Sequence, residues 1–268
     1  MVPELVFMKV AVVGKGGVGK TFVAGTLARL SKALGENVIA IDADPTTNLY
    51  LELGIGQEAI SAVTPISENQ TLIQEKTGVT AYDAASSVFN LNPPVDDIVE
   101  KYSIESPEGI KLLIMGTVRN AGKGCMCPAN SLLRALLRHV FAKLPATVII
   151  DMEAGLEPFG RGTIQYVDEI LNIVEPSTQS IETSIKIHRL ATELGIRKHL
   201  FIANKAANED EQGFVEKSLA DHGQKLELIV PYDESIRLRA IGKGGDPHLW
   251  KHSPAVEAIS RLTSRLQT

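Results

Sequence analysis

Short apolar runs recur along the chain, and most are continuous rather than alternating. They fall at residues 9–13, 38–41, 112–115, 148–150, 170–174, 200–203 and 228–230. Runs of this length without polar alternation predict strands of a parallel sheet covered on both faces. Between several of them the apolar period becomes helical. Residues 21–34 place Val23, Leu27, Leu30 and Leu34 on one face, with Gly35 as the stop. Residues 130–143 carry Leu132, Leu133, Leu136, Leu137 and Val140, and residues 180–194 carry Ile181, Ile185, Ile187, Leu190 and Leu194. The last helix, 254–266, sets Val256, Ile259, Leu262 and Leu266 on a stripe. Its polar face holds only scattered arginines (Arg261, Arg265), so it reads as a cover for the core rather than a membrane-docking helix. Alternating β and α with right-handed crossovers predicts an α/β fold, a doubly wound and mostly parallel sheet flanked by helices. Residues 54–106 break the rhythm with turns at Asn92-Pro93-Pro94 and Ser106-Pro107. They read as an irregular surface insertion on a single domain spanning 1–268.

Composition adds exclusions. Apolar residues make up 44%, charged residues 22% and aromatics 5%, an ordinary globular balance. A chain of 268 residues buries about 73% of its extended surface, so its core needs no staples. The net charge of −5 argues against a nucleic-acid partner, which selects a basic excess or stripe. No apolar run approaches the roughly 20 residues of a membrane span. Residues 1–8 are too short and too poorly charged for a signal peptide. The expectation is a cytoplasmic chain with no membrane partner.

The first strand runs into Gly14-Lys15-Gly16-Gly17-Val18-Gly19-Lys20-Thr21, which fits G-x-x-x-x-G-K-[ST] between a strand and a helix. Glycines let successive N–H groups face an anion, and the helix N-terminus adds positive potential. Lys20 is placed to reach the β/γ-phosphates of a nucleotide and the Thr21 hydroxyl to ligate Mg²⁺. Acids follow at strand ends, the ligand edge of such a sheet: Asp42 and Asp44 in Ile41-Asp42-Ala43-Asp44-Pro45, and Asp151 after Val148-Ile149-Ile150. Asp151 completes a Walker B pattern and is expected to hold Mg²⁺ through water.

Only two cysteines are present, Cys125 and Cys127. A disulfide between them would close a small strained ring. One Cys-x-Cys supplies two thiolates where a closed tetrahedral site needs four. A two-fold dimer would supply the other pair from the same motif. Soft thiolates suit nickel or zinc, with an Fe–S cluster ranked lower.

Lys15 in the Lys-Gly-Gly opening of the loop resembles the deviant Walker A ATPases. Taken with Asp42-x-Asp44-Pro45, the Cys-x-Cys before a leucine-rich helix and Asp151-Met152-Glu153-Ala154-Gly155, the chain resembles the CooC-type nickel-insertion ATPases that mature carbon monoxide dehydrogenase. The resemblance implies an ATPase that forms a homodimer on ATP. Lys15 would cross to the partner's nucleotide and act in catalysis with Lys20 and Asp44. Asp44 would orient the attacking water, and Asp42 would sit near Mg²⁺. It implies that residues 14–21 bind the phosphates, with Asn204 and Lys205 at the base and Pro231, Tyr232 and Asp233 flanking it. Ala207 stands where GTP-binding proteins carry an aspartate, which favours ATP. Metal would bind between two Cys125/Cys127 pairs, with carbon monoxide dehydrogenase as client. The alternatives are acetyl-CoA synthase maturation, an Fe–S-carrying ATPase, and a partition- or septum-type switch.

Overall fold

A computed structural model describes residues 7–79, 88–116, 127–156, 164–167, 169–196, 198–240 and 253–266. Eight strands form one sheet in the order β3-β4-β2-β5-β1-β6-β7-β8. They are β1 (Lys9–Gly14), β2 (Val38–Ala43), β3 (Ile104–Glu105), β4 (Lys111–Ile114), β5 (Thr147–Met152), β6 (Glu169–Val174), β7 (Lys198–Ala206) and β8 (Leu226–Pro231). Every pairing is parallel except that of the short edge strand β3 with β4. All seven expected strands are present. The central ones, β2 and β5, are buried at every position, as their unbroken apolar runs require.

Helices cover both faces. One face carries α1 (Lys20–Ala33), α2 (Leu49–Glu52) and the C-terminal helix α10 (Pro254–Leu266). Leu27, Ala40, Ile149, Leu171 and Ile259 meet in this layer. The helix α1 ends in a Schellman turn, where Glu36 N–H donates to the Ser31 carbonyl. The C-terminal α10 buries Ala255, Ile259 and Leu262 against the rest of this layer, so it covers core as expected.

The opposite face carries α4 (Gln70–Thr77), α5 (Ile98–Tyr102), α6 (Cys127–Lys143) and α7 (Thr178–Glu193), with α3 (Gln57–Ser61) on the path between α2 and α4. Val13, Ile41, Leu113, Leu136, Ile150 and Ile187 form its centre. A third cluster, under α8 (Glu209–Ala220), joins Phe201, Ala203, Val215 and Leu219. The remaining helix, α9 (Glu234–Ala240), follows β8.

The segment 54–106 departs from the expected surface insertion. Ile66, Leu72, Ile73, Val95, Ile98 and Val99 enter the main core, and β3 extends the sheet. Its helices run for eight residues or fewer, too short for a 3.6-residue period to show in the sequence.

At the start of β7, His199 faces His188 of α7 with their Nδ1 atoms 3.2 Å apart. The His199 Nε2 lies 2.6 Å from the Ile196 carbonyl oxygen, and Phe201 flanks the His188 ring. Only one proton fits between the two Nδ1 atoms. Burial, with the His199 charge second, lowers the pKa of His188.

Two predictions follow from this packing. Ile73→Ala is expected to cost about 2–5 kcal/mol in a denaturant titration, as for a core isoleucine, rather than the roughly 0.5 kcal/mol of a surface site. The second concerns acid. A base with a lowered pKa in the folded chain takes up protons more readily when unfolded, so its stabilisation is present above its ordinary pKa of 6.5 and lost as pH falls below it. The thermal midpoint should drop more steeply between pH 7 and pH 5 in the parent chain than in His188→Leu, and equal slopes would refute this.

Candidate functional site

Seven parallel strands deliver their C-terminal ends to one edge, where β1 lies between β5 and β6. The connection leaving β1 crosses to one face and the one leaving β5 to the other, which opens the crevice where ligands of such sheets bind. The loop 14–21 fills it. Gly14 has φ +149°, and a Cβ there would lie 2.5 Å from the Ile173 carbonyl oxygen of β6. Gly19 has φ +96° and lies so close to Asn204 that a Cβ would meet its amide nitrogen at 2.3 Å. Glycine is therefore required at both ends of the loop. Gly16 and Gly17 are exposed at its crown, while Val18 is buried beneath it.

Lys20 opens α1 and is buried, its Nζ 3.4 Å from the Lys15 carbonyl oxygen. Burial pushes its ammonium below the usual lysine range, opposed by the charges of Asp151 and Asp44. Asp42 and Asp151 stand side by side in register on β2 and β5 and are both buried. Desolvation raises their pKa values to about 6 and about 7 respectively. The two differ in their partners. Asp42 accepts from Leu49 N–H at 2.9 Å and Asp44 N–H at 3.1 Å, so its carboxylate shapes the loop after β2. Asp151 accepts from the Thr21 hydroxyl, while its Oδ1, though buried, has no hydrogen-bond partner among the described residues. An orphaned carboxylate oxygen beside a threonine hydroxyl fits a hard divalent cation such as Mg²⁺.

Asp44 is half-buried and closes a tight turn, accepting from Thr46 N–H at 2.8 Å and the Thr46 hydroxyl at 2.5 Å. Gly155, which follows β5, donates its N–H to the Gly14 carbonyl at 3.2 Å and so ties the loop after the Walker B strand to the phosphate loop.

On the other side of β1, Asn204 and Lys205 hold two successive carbonyls of the loop. The buried Asn204 amide donates to the Val18 oxygen at 2.8 Å, and the Lys205 ammonium donates to Gly17. The Asn204 carbonyl accepts from Lys205 N–H, 3.0 Å away. Lys205 adopts φ +64°, unusual for a residue with a side chain. The residue expected to read the base thus spends both amide groups on positioning, while it also lines the cavity beside it.

That cavity measures about 370 Å³, and its lining includes Phe22, Asn204, Pro231, Tyr232, Asp233 and Ile236. Its size and mostly apolar wall suit a planar base. Tyr232 is exposed and donates to Glu234 at 2.5 Å, while Asp233 accepts from the hydroxyls of Ser235 and Ser253. Phe22 and Ile236 were missed in the sequence. Phe22 was findable, because it directly follows the motif threonine Thr21 at the start of α1, beside the loop.

Cys125 lies outside the described residues, and only the backbone of Cys127 is described, at the first position of α6. Because α6 connects β4 to the parallel β5, it begins at the edge that holds the phosphate loop. No described helix is long and apolar enough to cross a membrane.

Residues 9–243 match the family described as the CobQ/CobB/MinD/ParA nucleotide-binding domain. The chain is 46% identical over 232 residues to the carbon monoxide dehydrogenase accessory protein CooC of Rhodospirillum rubrum, covering 86% of each. It is 42% identical over 229 residues to an ATP-binding protein of Methanocaldococcus jannaschii, covering 85% of this chain and 87% of that one. Among solved structures, the Mg-ADP complex of the septum site-determining protein MinD from Pyrococcus horikoshii superposes with a TM-score of 0.68 at 18% identity, covering 98% of this chain and 97% of that one. At that identity the likeness speaks for the fold alone. A phosphate loop at the centre of a parallel sheet, a buried Walker B aspartate and the match over most of the chain lead to one conclusion: this chain belongs to the CobQ/CobB/MinD/ParA family of nucleotide-binding domains and is a P-loop ATPase.

Proposed function

We propose that this ATPase is a metallochaperone for a nickel enzyme of the carbon monoxide dehydrogenase class, dimerising on ATP and carrying its metal between two Cys-x-Cys motifs. The observation that carries the reading is the 46% identity to a carbon monoxide dehydrogenase accessory protein over 86% of both chains. The Cys125-Met126-Cys127 pair, in a chain with no other cysteine, supports the metal role.

The phosphates of ATP lie along the N–H groups of residues 14–21, with Lys20 against the β/γ-phosphates and the base in the cavity beside Tyr232. Thr21 and Asp151 hold Mg²⁺, which when bound neutralises charge on the β- and γ-oxygens. Asp42, whose oxygens receive two backbone N–H groups, acts by fixing the loop that carries Asp44. Asp44 orients the attacking water and accepts its proton. Lys15 reaches the phosphates of the second copy, where its charge offsets that developing in phosphoryl transfer. Closure of two phosphate edges face to face also brings together two copies of the edge at which α6 begins. The four thiolates meet there and take a soft divalent ion, nickel or zinc, as cargo. Hydrolysis relaxes the loops that follow β2 and β5 and frees the cargo for the client.

Two experiments test this. Asp44→Ala should lower the ATP hydrolysis rate about 100-fold or more, the usual range for removing a general base, while ATP still drives self-association in sedimentation. Cys125→Ser combined with Cys127→Ser should abolish near-stoichiometric nickel or zinc per dimer, read by metal analysis of anaerobically purified protein, with unchanged circular dichroism. Retention of that metal would exclude the thiolate site.

A further inference from the structure

Glu175 has no part in the reading above, yet it stands in the middle of the phosphate edge. It is the first residue after β6, between the strand end that launches the phosphate loop and the strand that carries Asn204 and Lys205. Its Oε1 lies 3.3 Å from the Lys15 ammonium and its Oε2 lies 4.0 Å from that of Lys205. The position is built. Glu175 N–H donates to the buried Ser180 hydroxyl at 3.0 Å, and its carbonyl accepts from Ser177 N–H at 2.6 Å, so the first turn of α7 fixes the backbone. The carboxylate itself is about a quarter exposed and Lys15 about a third, which leaves the ion pair able to exchange with solvent or another anion.

An anion here works against the purpose of the edge, which is to present cations to polyphosphate. Its geometry makes sense if it substitutes for that polyphosphate while none is present. We propose that Glu175 is a resting latch for Lys15: it folds the lysine back onto its own subunit in the nucleotide-free chain and yields it when the polyphosphate held by a second copy competes for the same ammonium. The latch in the single chain stands on the ion pair alone, whereas its release into a partner rests on the dimer proposed above. Glu175 is a positioning residue in this scheme, because it acts on the reaction only through Lys15. Lys205 differs, since its donation to Gly17 keeps it on the loop whether or not Glu175 holds it.

The test uses Glu175→Gln, which keeps shape and removes charge. In the nucleotide-free chain, Lys15 should be acylated by a limiting amine-reactive ester about two- to fivefold faster in the variant, as expected for release from a half-exposed ion pair. Lys217, on the last turn of α8, serves as internal reference by peptide mass spectrometry. In the second arm, the protein concentration at which a non-hydrolysable ATP analogue drives half-association should fall by about two- to fivefold in Glu175→Gln. That difference should shrink as salt rises from 0.05 to 0.5 M. It should vanish when both proteins also carry Lys15→Met, and persist when both carry Lys205→Met. Equal acylation of Lys15 in the two chains overturns the latch. So does weaker association of the variant, which would mean that Glu175 aims Lys15 productively. Faster acylation without self-association of either protein upholds the latch within one chain and overturns the dimer instead.

Discussion

The arrangement of the site depends on β1 lying inside the sheet with parallel neighbours on both sides. A phosphate loop must turn sharply at the end of a strand, and here the turn happens in a slot only as wide as two strand spacings. The backbone of β6 sets one wall so close that position 14 has no room for a side chain. The other wall, β5, presents Asp151 beside the base of the loop, and the next strand sets Asp42 in register with it. Moving β1 to an edge would remove one of these walls and with it either the acids or Asn204 and Glu175. The chemistry of the edge is thus a consequence of strand order, with side-chain choice working inside it.

Within that slot the charges form two tiers. Lys20, Asp42 and Asp151 are stripped of water. Burial moves their pKa values toward neutrality. A polyphosphate and a divalent cation bring both signs at once, so ligand and fold stabilise each other. Lys15, Asp44, Glu175 and Lys205 make an outer tier that keeps contact with water. Groups of that kind can change partners at small cost. The inner tier is fixed by burial, and the outer tier stays in contact with solvent.

How much of this could be read beforehand follows the range of the signals. The seven parallel strands and the long helices announce themselves in local apolar periodicity, and the loop 14–21 in local spacing. Lys20, Thr21 and Asp151 were placed correctly at one edge because strand ends are a topological certainty once the sheet is parallel. The short helices between β2 and β4 were illegible, since a helix of two turns shows no period. The grip of Asn204 on the loop was illegible for another reason: its contact is with Val18, 186 positions away in the chain, and nothing near residue 204 announces it. Glu175 is the same case, an acid in Val174-Glu175-Pro176 whose charged partners are Lys15 in the phosphate loop and Lys205 on β7.

Lys205 carries a conflict between backbone and side chain. Its left-handed φ of +64° is a conformation that suits glycine, and for a residue with a Cβ it costs roughly 1–2 kcal/mol. A glycine there would remove the strain and with it the grip on Gly17. The residue that satisfies the fold best is therefore not the one that holds the loop. A search for stabilising substitutions would rank position 205 among its first targets, and the more stable protein it produced would have a looser phosphate loop.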